Sequence, residues 1–108
     1  MKEIKAVIRP TKLPALREAL RSVPGFPGMT ISKVEGLSAP ERIGPCKDSI
    51  RHALTDYTAK VRIEIVSPDE LIDTIVERIV AAASTGQIGD GLVWITPIDR
   101  VLFVHKCK

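Results

Sequence analysis

The feature that most constrains the fold is a strand-then-helix pattern that the chain uses twice. Residues 2–9 alternate apolar and polar side chains, which predicts a half-buried strand that ends at Pro10. Apolar residues then recur at helical spacing from Leu13 to Val23, with Pro14 in the first turn, where proline is tolerated. The first unit is therefore expected to be a strand followed by an amphipathic helix.

The second unit repeats this order later in the chain. Residues 60–66 show the cleanest alternation, and residues 67–70 (SPDE) have the pattern of a capping box, with a serine N-cap and a proline at the first helical position. An apolar stripe over residues 71–83 predicts a second helix, which Gly86 is expected to stop. Both helices open with the same Pro-x-x-Leu spacing, so the two units resemble each other.

Three further apolar runs are predicted to be strands: 29–34, 92–95 and 101–104. A duplicated βαβ unit folds as a ferredoxin-like sandwich, with both helices on one face of an antiparallel sheet. The expected fold class is α+β: a single ferredoxin-like βαββαβ domain over residues 1–108, with an extra C-terminal strand. Because the run 101–104 is apolar on both sides, we expect another copy of the chain to cover it.

Residues 37–57 follow neither the strand period nor the helix period. They contain Pro40, Gly44 and Pro45 together with many charged residues, and only residues 49–54 are compatible with a short helical turn. A loop of about twenty residues in a compact domain is uncommon and is usually functional or disordered.

Charge and hydropathy exclude several partners. The net charge is +3, but lysines and arginines are scattered and are not interleaved with aromatic residues, so no nucleic-acid partner is expected. The chain has no run of about 18 apolar residues, and its N-terminus lacks an apolar signal core. We therefore expect no membrane insertion and a cytoplasmic location.

Candidate catalytic and metal-binding residues are few. His52 and His105 are the only histidines, and neither has an evident serine or cysteine partner, so we do not expect an enzyme. Cys46 and Cys107 form no C-x-x-C pair and are expected to be free thiols. Cys46 with His52, or His105 with Cys107, supplies only two metal ligands, whereas structural zinc takes four. No metal site is expected within one chain, and completion across subunits stays open.

Residues 85–91 (TGQIGDG) join the second helix to a strand and hold three glycines. Glycine permits a positive φ and close approach of a ligand to the backbone, and successive N–H groups in such a turn form an anion-binding concavity. A plain helix stop with a tight turn is the alternative, although it needs only one or two glycines. The segment is not a P-loop, because it follows a helix and does not open one.

This segment closely resembles the B-loop of the PII signal-transduction proteins. The resemblance extends to residues 4–10, 12–13, 28–30, 34–36, 60–66 and 68–71, and so covers most of the chain outside the long loop and the C-terminus. It implies a ferredoxin-like homotrimer that binds adenine nucleotides between subunits. It also implies that residues 37–57 are a T-loop that contacts a target protein.

The resemblance also implies roles for individual residues. Those that would line the adenine and ribose are Thr30, Gly36 and Val66. Those that would hold the phosphates are Gly86, Gly89, Asp90 and Gly91. Lys60 would lie near the place of 2-oxoglutarate, and His105 is a second candidate for effector binding.

The chain departs from the family pattern at several charged positions. Leu92 replaces the lysine that follows the last B-loop glycine, and Phe103 and His105 replace two arginines that reach the phosphates. Ala39 and Pro40 stand where relatives have an Arg-Gln pair, and the modified T-loop tyrosine is absent. Each lost charge-assisted contact contributes about 1.5–3 kcal/mol. We therefore expect ADP or AMP to be favoured over ATP, with no other cofactor required.

Three functions fit these observations. The first is a trimeric regulator that binds an adenine nucleotide or a similar small anion and controls a target, such as a transporter or a metabolic enzyme, through residues 37–57. The second is a metal- or redox-responsive regulator of a transporter that uses Cys46, His52, His105 or Cys107. The third is a structural trimer without ligand binding.

Overall fold

A computed structural model describes residues 1–37 and 57–105 of the chain. Its strands are β1 (Lys2–Ile8), β2 (Thr30–Gly36), β3 (Thr58–Ser67) and β4 (Gly91–Pro97), and its helices are α1 (Leu13–Arg21) and α2 (Ile72–Ala83). A short 3-10 turn precedes each helix, at Pro10–Lys12 and Asp69–Leu71. The predicted order of strands and helices is confirmed up to β4.

The four strands form one antiparallel sheet in the order β2-β3-β1-β4. In this register Ile4 lies opposite both Ile65 and Ile95. The alternate, inward-facing residues of β1 and β3 are buried in one core together with apolar residues of both helices. Both helices therefore pack on the same face of the sheet, and the α+β ferredoxin-like fold is confirmed.

The capping box predicted at the start of the second helix is wrong. Ser67 is the last residue of β3, where it pairs with Lys2, and its hydroxyl donates a hydrogen bond to the carbonyl oxygen of Pro68. The helix begins only at Ile72, after the 3-10 turn. Because strand pairing continues through Ser67 and Pro68 is itself extended, the serine cannot reach the first helical N–H groups.

The extra C-terminal strand predicted at residues 101–104 is also wrong for the single chain. Residues 101–103 have no regular structure, and Val104 and His105 form a turn. A strand requires a partner strand for its hydrogen bonds, and no described strand of this chain pairs with the segment. Its side chains are consequently open to solvent: Leu102 is 73% exposed and Val104 is 95% exposed.

The long segment predicted at 37–57 lies, apart from Leu37 and Tyr57, outside the described residues, as does the helical turn predicted at 49–54. Its two ends are well defined. Gly36 at the end of β2 lies opposite Thr58 at the start of β3. The segment therefore leaves the sheet and rejoins it at one point. No helix in the described part of the chain is both long and apolar enough to cross a membrane.

Candidate functional site

The glycine loop, Thr85–Gly91, begins after α2 and leads directly into β4. All three of its glycines adopt the left-handed region, with φ of 78° at Gly86, 99° at Gly89 and 122° at Gly91. The amide of Asp90 donates to the carbonyl oxygen of Gln87 at 3.3 Å, which closes a turn at the tip. This conformation is one that residues with a Cβ rarely adopt.

The three glycines do not serve one purpose. A Cβ at Gly91 would overlap the carbonyl oxygen of Val7, because Gly91 pairs with Ile8 at the end of β1. Gly91 is therefore required by the sheet. A Cβ at Gly86 would meet open space, and one at Gly89 would lie 3.1 Å from a guanidinium nitrogen of Arg9. The space beside the backbone is therefore open at Gly86, whereas the Arg9 guanidinium fills part of it at Gly89.

The carboxylate of Asp90 holds the loop from inside. It accepts hydrogen bonds from the amide of Thr85 at 2.6 Å, from the hydroxyl of Thr85 at 2.5 Å and from the amide of Gln87 at 3.3 Å. The Thr85 hydroxyl, followed by the Thr85 amide, holds the pKa of Asp90 well below its usual range. Asp90 is thus ionised at neutral pH and fixes the loop in one shape.

The loop also presents backbone donors that its own contacts leave unused. Within the described residues, no group accepts a hydrogen bond from the amides of Gly86, Ile88 and Gly89. Three such N–H groups in a turn with left-handed glycines resemble the concavities in which proteins hold phosphate oxygens. The unused amides of the glycine loop are therefore candidate donors to an anionic group.

Two cationic side chains contact the loop from the sheet. Arg9, just beyond β1, donates from Nε to Asp90 at 3.3 Å and from Nη2 to the carbonyl oxygen of Ile88 at 3.2 Å. Lys60 of β3 donates from Nζ to the carbonyl oxygen of Gly89 at 2.8 Å. Burial, and secondarily the charge of Arg9, lowers the pKa of Lys60, while Asp90 opposes this.

Lys60 was a predicted site residue, whereas sequence reasoning missed Arg9. The position of Arg9 depends on the register, because Ile8 pairs with both Val61 and Gly91. One signal was available: a residue before proline is held extended, so Arg9 continues the alternation of β1 on the same face as Lys60. Pro10 therefore helps to direct the guanidinium toward the loop.

Gly36, predicted on the adenine side, lies next to Lys60. A Cβ at Gly36 would be 3.4 Å from Cγ of Lys60. The structure thus brings Gly36 and Lys60 together with the loop residues Gly86, Gly89, Asp90 and Gly91 at one end of the sheet.

A second group of predicted residues lies elsewhere. Thr30 and Val66 line a surface cavity of about 760 Å³, which we call the Thr30 cavity. Three further lining residues matter for the site: Glu3, Glu64 and Phe103. The ring of Phe103, which is 68% exposed, lies 5.7 Å from the imidazole of His105. His105 is thus beside the aromatic wall, and within the described ranges no hydrogen bond or ion pair joins it to the glycine loop.

Strand β1 separates the two groups. Glu3 lines the Thr30 cavity near its start, and Arg9 contacts the glycine loop beyond its end. Six residues of strand span roughly 20 Å. Val66 is likewise six residues from Lys60 on β3, whereas Thr30 lies opposite Glu64, only four residues or roughly 13 Å from Lys60. In one copy, a mononucleotide that contacts the glycine loop therefore does not reach Val66.

A metal centre finds no support among residues 1–37 and 57–105, where no three His, Cys, Asp or Glu side chains converge. Of the four residues considered as metal ligands, only His105 is within these ranges. Cys46, His52 and Cys107 lie outside them.

Comparison with known proteins gives a consistent result. A family model described as "Nitrogen regulatory protein P-II" matches residues 1–108. The chain is 40% identical over 105 residues to Nitrogen regulatory protein P-II 1 of Escherichia coli (strain K12), covering 97% of this chain and 92% of that protein. The protein of the same name from Salmonella typhimurium gives the same values. Nitrogen regulatory protein P-II of Haemophilus influenzae is 37% identical over the same shares.

Proposed function

The chain belongs to the nitrogen regulatory protein P-II family, and from this premise we propose that it is a cytoplasmic, homotrimeric signalling regulator. In this proposal it binds an adenine nucleotide between subunits and acts on a target protein through residues 37–57. Its role is regulation and not catalysis. Membership of a family of nitrogen regulatory proteins supports the signalling role.

The observation that carries the proposal is the glycine loop with its unused amides. Gly86, Ile88 and Gly89 offer three backbone donors, and Arg9 and Lys60 add two positive charges beside them. Backbone donors combined with cations are the usual means of holding a phosphate. Since Asp90 already orders the loop, little conformational entropy is lost when a phosphate binds.

The separation of the two site groups supports a cleft built from two copies. The Thr30 cavity of one copy would receive the base, and the glycine loop of its neighbour would receive the phosphate. Exposed apolar side chains support the same arrangement, since Leu92 is 49% exposed and Leu102 and Phe103 are exposed further. An interface between subunits would remove these apolar side chains from water.

The route from the ligand to the target protein runs through Lys60 in this proposal. Lys60 contacts the glycine loop through Gly89 and packs against Gly36, where the 37–57 segment leaves the sheet. A phosphate that draws the Lys60 ammonium away from the Gly89 carbonyl oxygen would therefore act at the base of that segment. The target is a protein such as a transporter or a metabolic enzyme.

A complementation experiment tests the two-copy cleft. Gly89→Ala places a methyl group beside Arg9 in a strained backbone, and Val66→Glu places a carboxylate in the Thr30 cavity. Each variant alone is expected to lose adenine-nucleotide binding, measured by calorimetric titration. Mixed oligomers purified through two different affinity tags should regain a fraction of the sites, because some clefts then combine an intact loop with an intact cavity.

The control is a mixed oligomer of two differently tagged wild-type chains, and thermal melting confirms that each variant is folded. Absence of binding in mixed oligomers of the two variants would contradict the two-copy cleft. A wild-type chain that sediments as a monomer would do the same. Wild-type protein that binds no adenine nucleotide would contradict the proposed function as a whole.

A further inference from the structure

From the donors and charges around the glycine loop, we propose that the ligand is a nucleoside monophosphate, AMP in the adenine series, and that the site rejects triphosphates. This inference rests on the proposed function and specifies its ligand. It concerns the number of phosphate groups that the described side chains and amides can hold.

The backbone donors match one phosphate group. Three amides are unused, at Gly86, Ile88 and Gly89, and a terminal phosphate has three acceptor oxygens. Two other amides that could have served a second phosphate, those of Thr85 and Gln87, already donate to Asp90. The carboxylate of Asp90 thus occupies two backbone donors that a more highly charged ligand would need.

The charges give the same count. Arg9 and Lys60 contribute two positive charges at the loop, and the ionised Asp90 contributes one negative charge. The net charge of these contacting side chains is therefore about +1, which partly neutralises the −1.5 to −2 of a phosphate monoester. Each further phosphate adds negative charge for which these three groups provide no counter-ion.

Both ends of the proposed cleft carry an exposed apolar side chain. Leu92 follows the loop directly and is 49% exposed, and Phe103 forms a wall of the Thr30 cavity. Covering Leu92 with an unpaired phosphate removes charge from water without compensation, which is costly. A purine base, in contrast, gains from stacking on the exposed ring of Phe103.

The first test is titration of the wild-type oligomer with adenosine, AMP, ADP and ATP, each with and without Mg²⁺. We expect AMP to bind at least ~10-fold more tightly than ATP, and adenosine to bind at least ~10-fold more weakly than AMP because it leaves the loop empty. ATP that binds as tightly as AMP overturns the inference while leaving the proposed function intact. If no adenine nucleotide binds, the proposed function itself fails.

The second test adds the charge that the site lacks. Leu92→Lys should raise the affinity for ATP relative to AMP by ~10-fold or more, because the new ammonium lies beside the loop. Leu92→Met is the matched control, since it keeps the volume without charge, and it should leave the ratio unchanged. An unchanged ratio in a folded Leu92→Lys variant overturns the inference.

Phe103 provides an independent check at the other end of the ligand. Phe103→Leu keeps an apolar side chain but removes the ring, and should weaken AMP binding by several-fold through loss of stacking. The affinity for inorganic phosphate should not change, because that probe occupies only the loop. Equal AMP affinity in the wild type and in Phe103→Leu contradicts the assignment of the base to this wall.

Discussion

The two ends of β1 are built on different principles. At its C-terminal end the glycine loop is held by its own Asp90, and by Arg9 and Lys60 from the sheet. At its N-terminal end lies the Thr30 cavity, which has a volume of about 760 Å³. One of its walls is the exposed ring of Phe103. The contacts that order the glycine loop are made within a single chain, whereas the Thr30 cavity exposes apolar surface.

This difference explains why the loop can be preorganised while the cleft requires assembly. Hydrogen bonds and charges act over short distances and are satisfied within one fold. Burial of apolar surface against another apolar surface is favourable. In one copy, among the described residues, Leu102, Phe103 and Val104 remain exposed. Point substitutions should therefore affect the glycine loop most, whereas oligomer assembly should affect the Thr30 cavity most.

Among the substitutions that test this contrast, Gly91→Ala is expected to have the largest effect on stability. In Gly91→Ala the new Cβ overlaps the Val7 carbonyl oxygen and the backbone has φ of 122°, so β1 and β4 must separate locally. We expect a loss of about 3 kcal/mol or more in the free energy of unfolding, measured by urea denaturation. Gly86→Ala, which has positive φ but open space, is the matched control with an expected loss of about 1 kcal/mol.

A Gly91→Ala variant as stable as Gly86→Ala would contradict the assignment of Gly91 to sheet packing. It would mean that the loop end is not fixed by the strands. The distinction between Gly91, which the sheet requires, and Gly86, which faces open space, would then be lost.

A smaller effect on stability is expected at Asp90, and it depends on pH. The pKa of this carboxyl is lowered from 3.8, so its ionised form stabilises the native state above the pKa of the unfolded chain. That stabilisation is lost as the pH falls through the lower native pKa. The stability difference between wild type and Asp90→Asn should be constant from pH 7 to 5 and should shrink below about pH 4.

Denaturant unfolding at several pH values measures this difference. Asp69→Asn serves as the control, because Asp69 lies on an exposed surface, where its carboxylate pairs with the N-terminal ammonium. A gap for Asp90→Asn that stays constant down to pH 2 would show that the carboxylate charge does not hold the loop.

The smallest effect is expected on ligand affinity at Arg9. Arg9→Ala removes one cation from the loop while Lys60 remains, so AMP binding should weaken by ~10-fold. Arg21 lies on the exposed surface of α1, where it pairs with Glu18, so Arg21→Ala should leave the affinity unchanged. Isothermal titration of folded oligomers measures both, and equal affinities for wild type and Arg9→Ala would remove Arg9 from the site.

Much of this architecture was predictable because the relevant signals are local. Alternation placed β1 and β3, and helical spacing after Pro10 and Pro68 placed both helices. The glycine loop was found from its composition. The sequence did not separate Gly91, which packs against β1, from Gly86, which faces open space, and Gly89, which lies beside Arg9. That separation depends on the carbonyl oxygen of Val7, which belongs to another strand.

The incorrect predictions share one cause. Ser67 has the local pattern of a helix cap, but its pairing with Lys2 keeps it in the strand. Residues 101–104 have the apolar character of a strand, but none of the strands described for this chain pairs with them. In both cases a local preference of about 1 kcal/mol is decided by hydrogen-bond partners that lie far away in the sequence.

The amino-acid sequence by itself determined the family, the order of strands and helices, and the presence of a glycine loop with depleted cationic partners, because periodicity and residue type act locally. Only the tertiary structure brought Arg9 and Lys60 to the loop and separated Thr30 and Val66 from it. Those relations follow from strand register, and register is decided by which side chains share the buried face of the sheet.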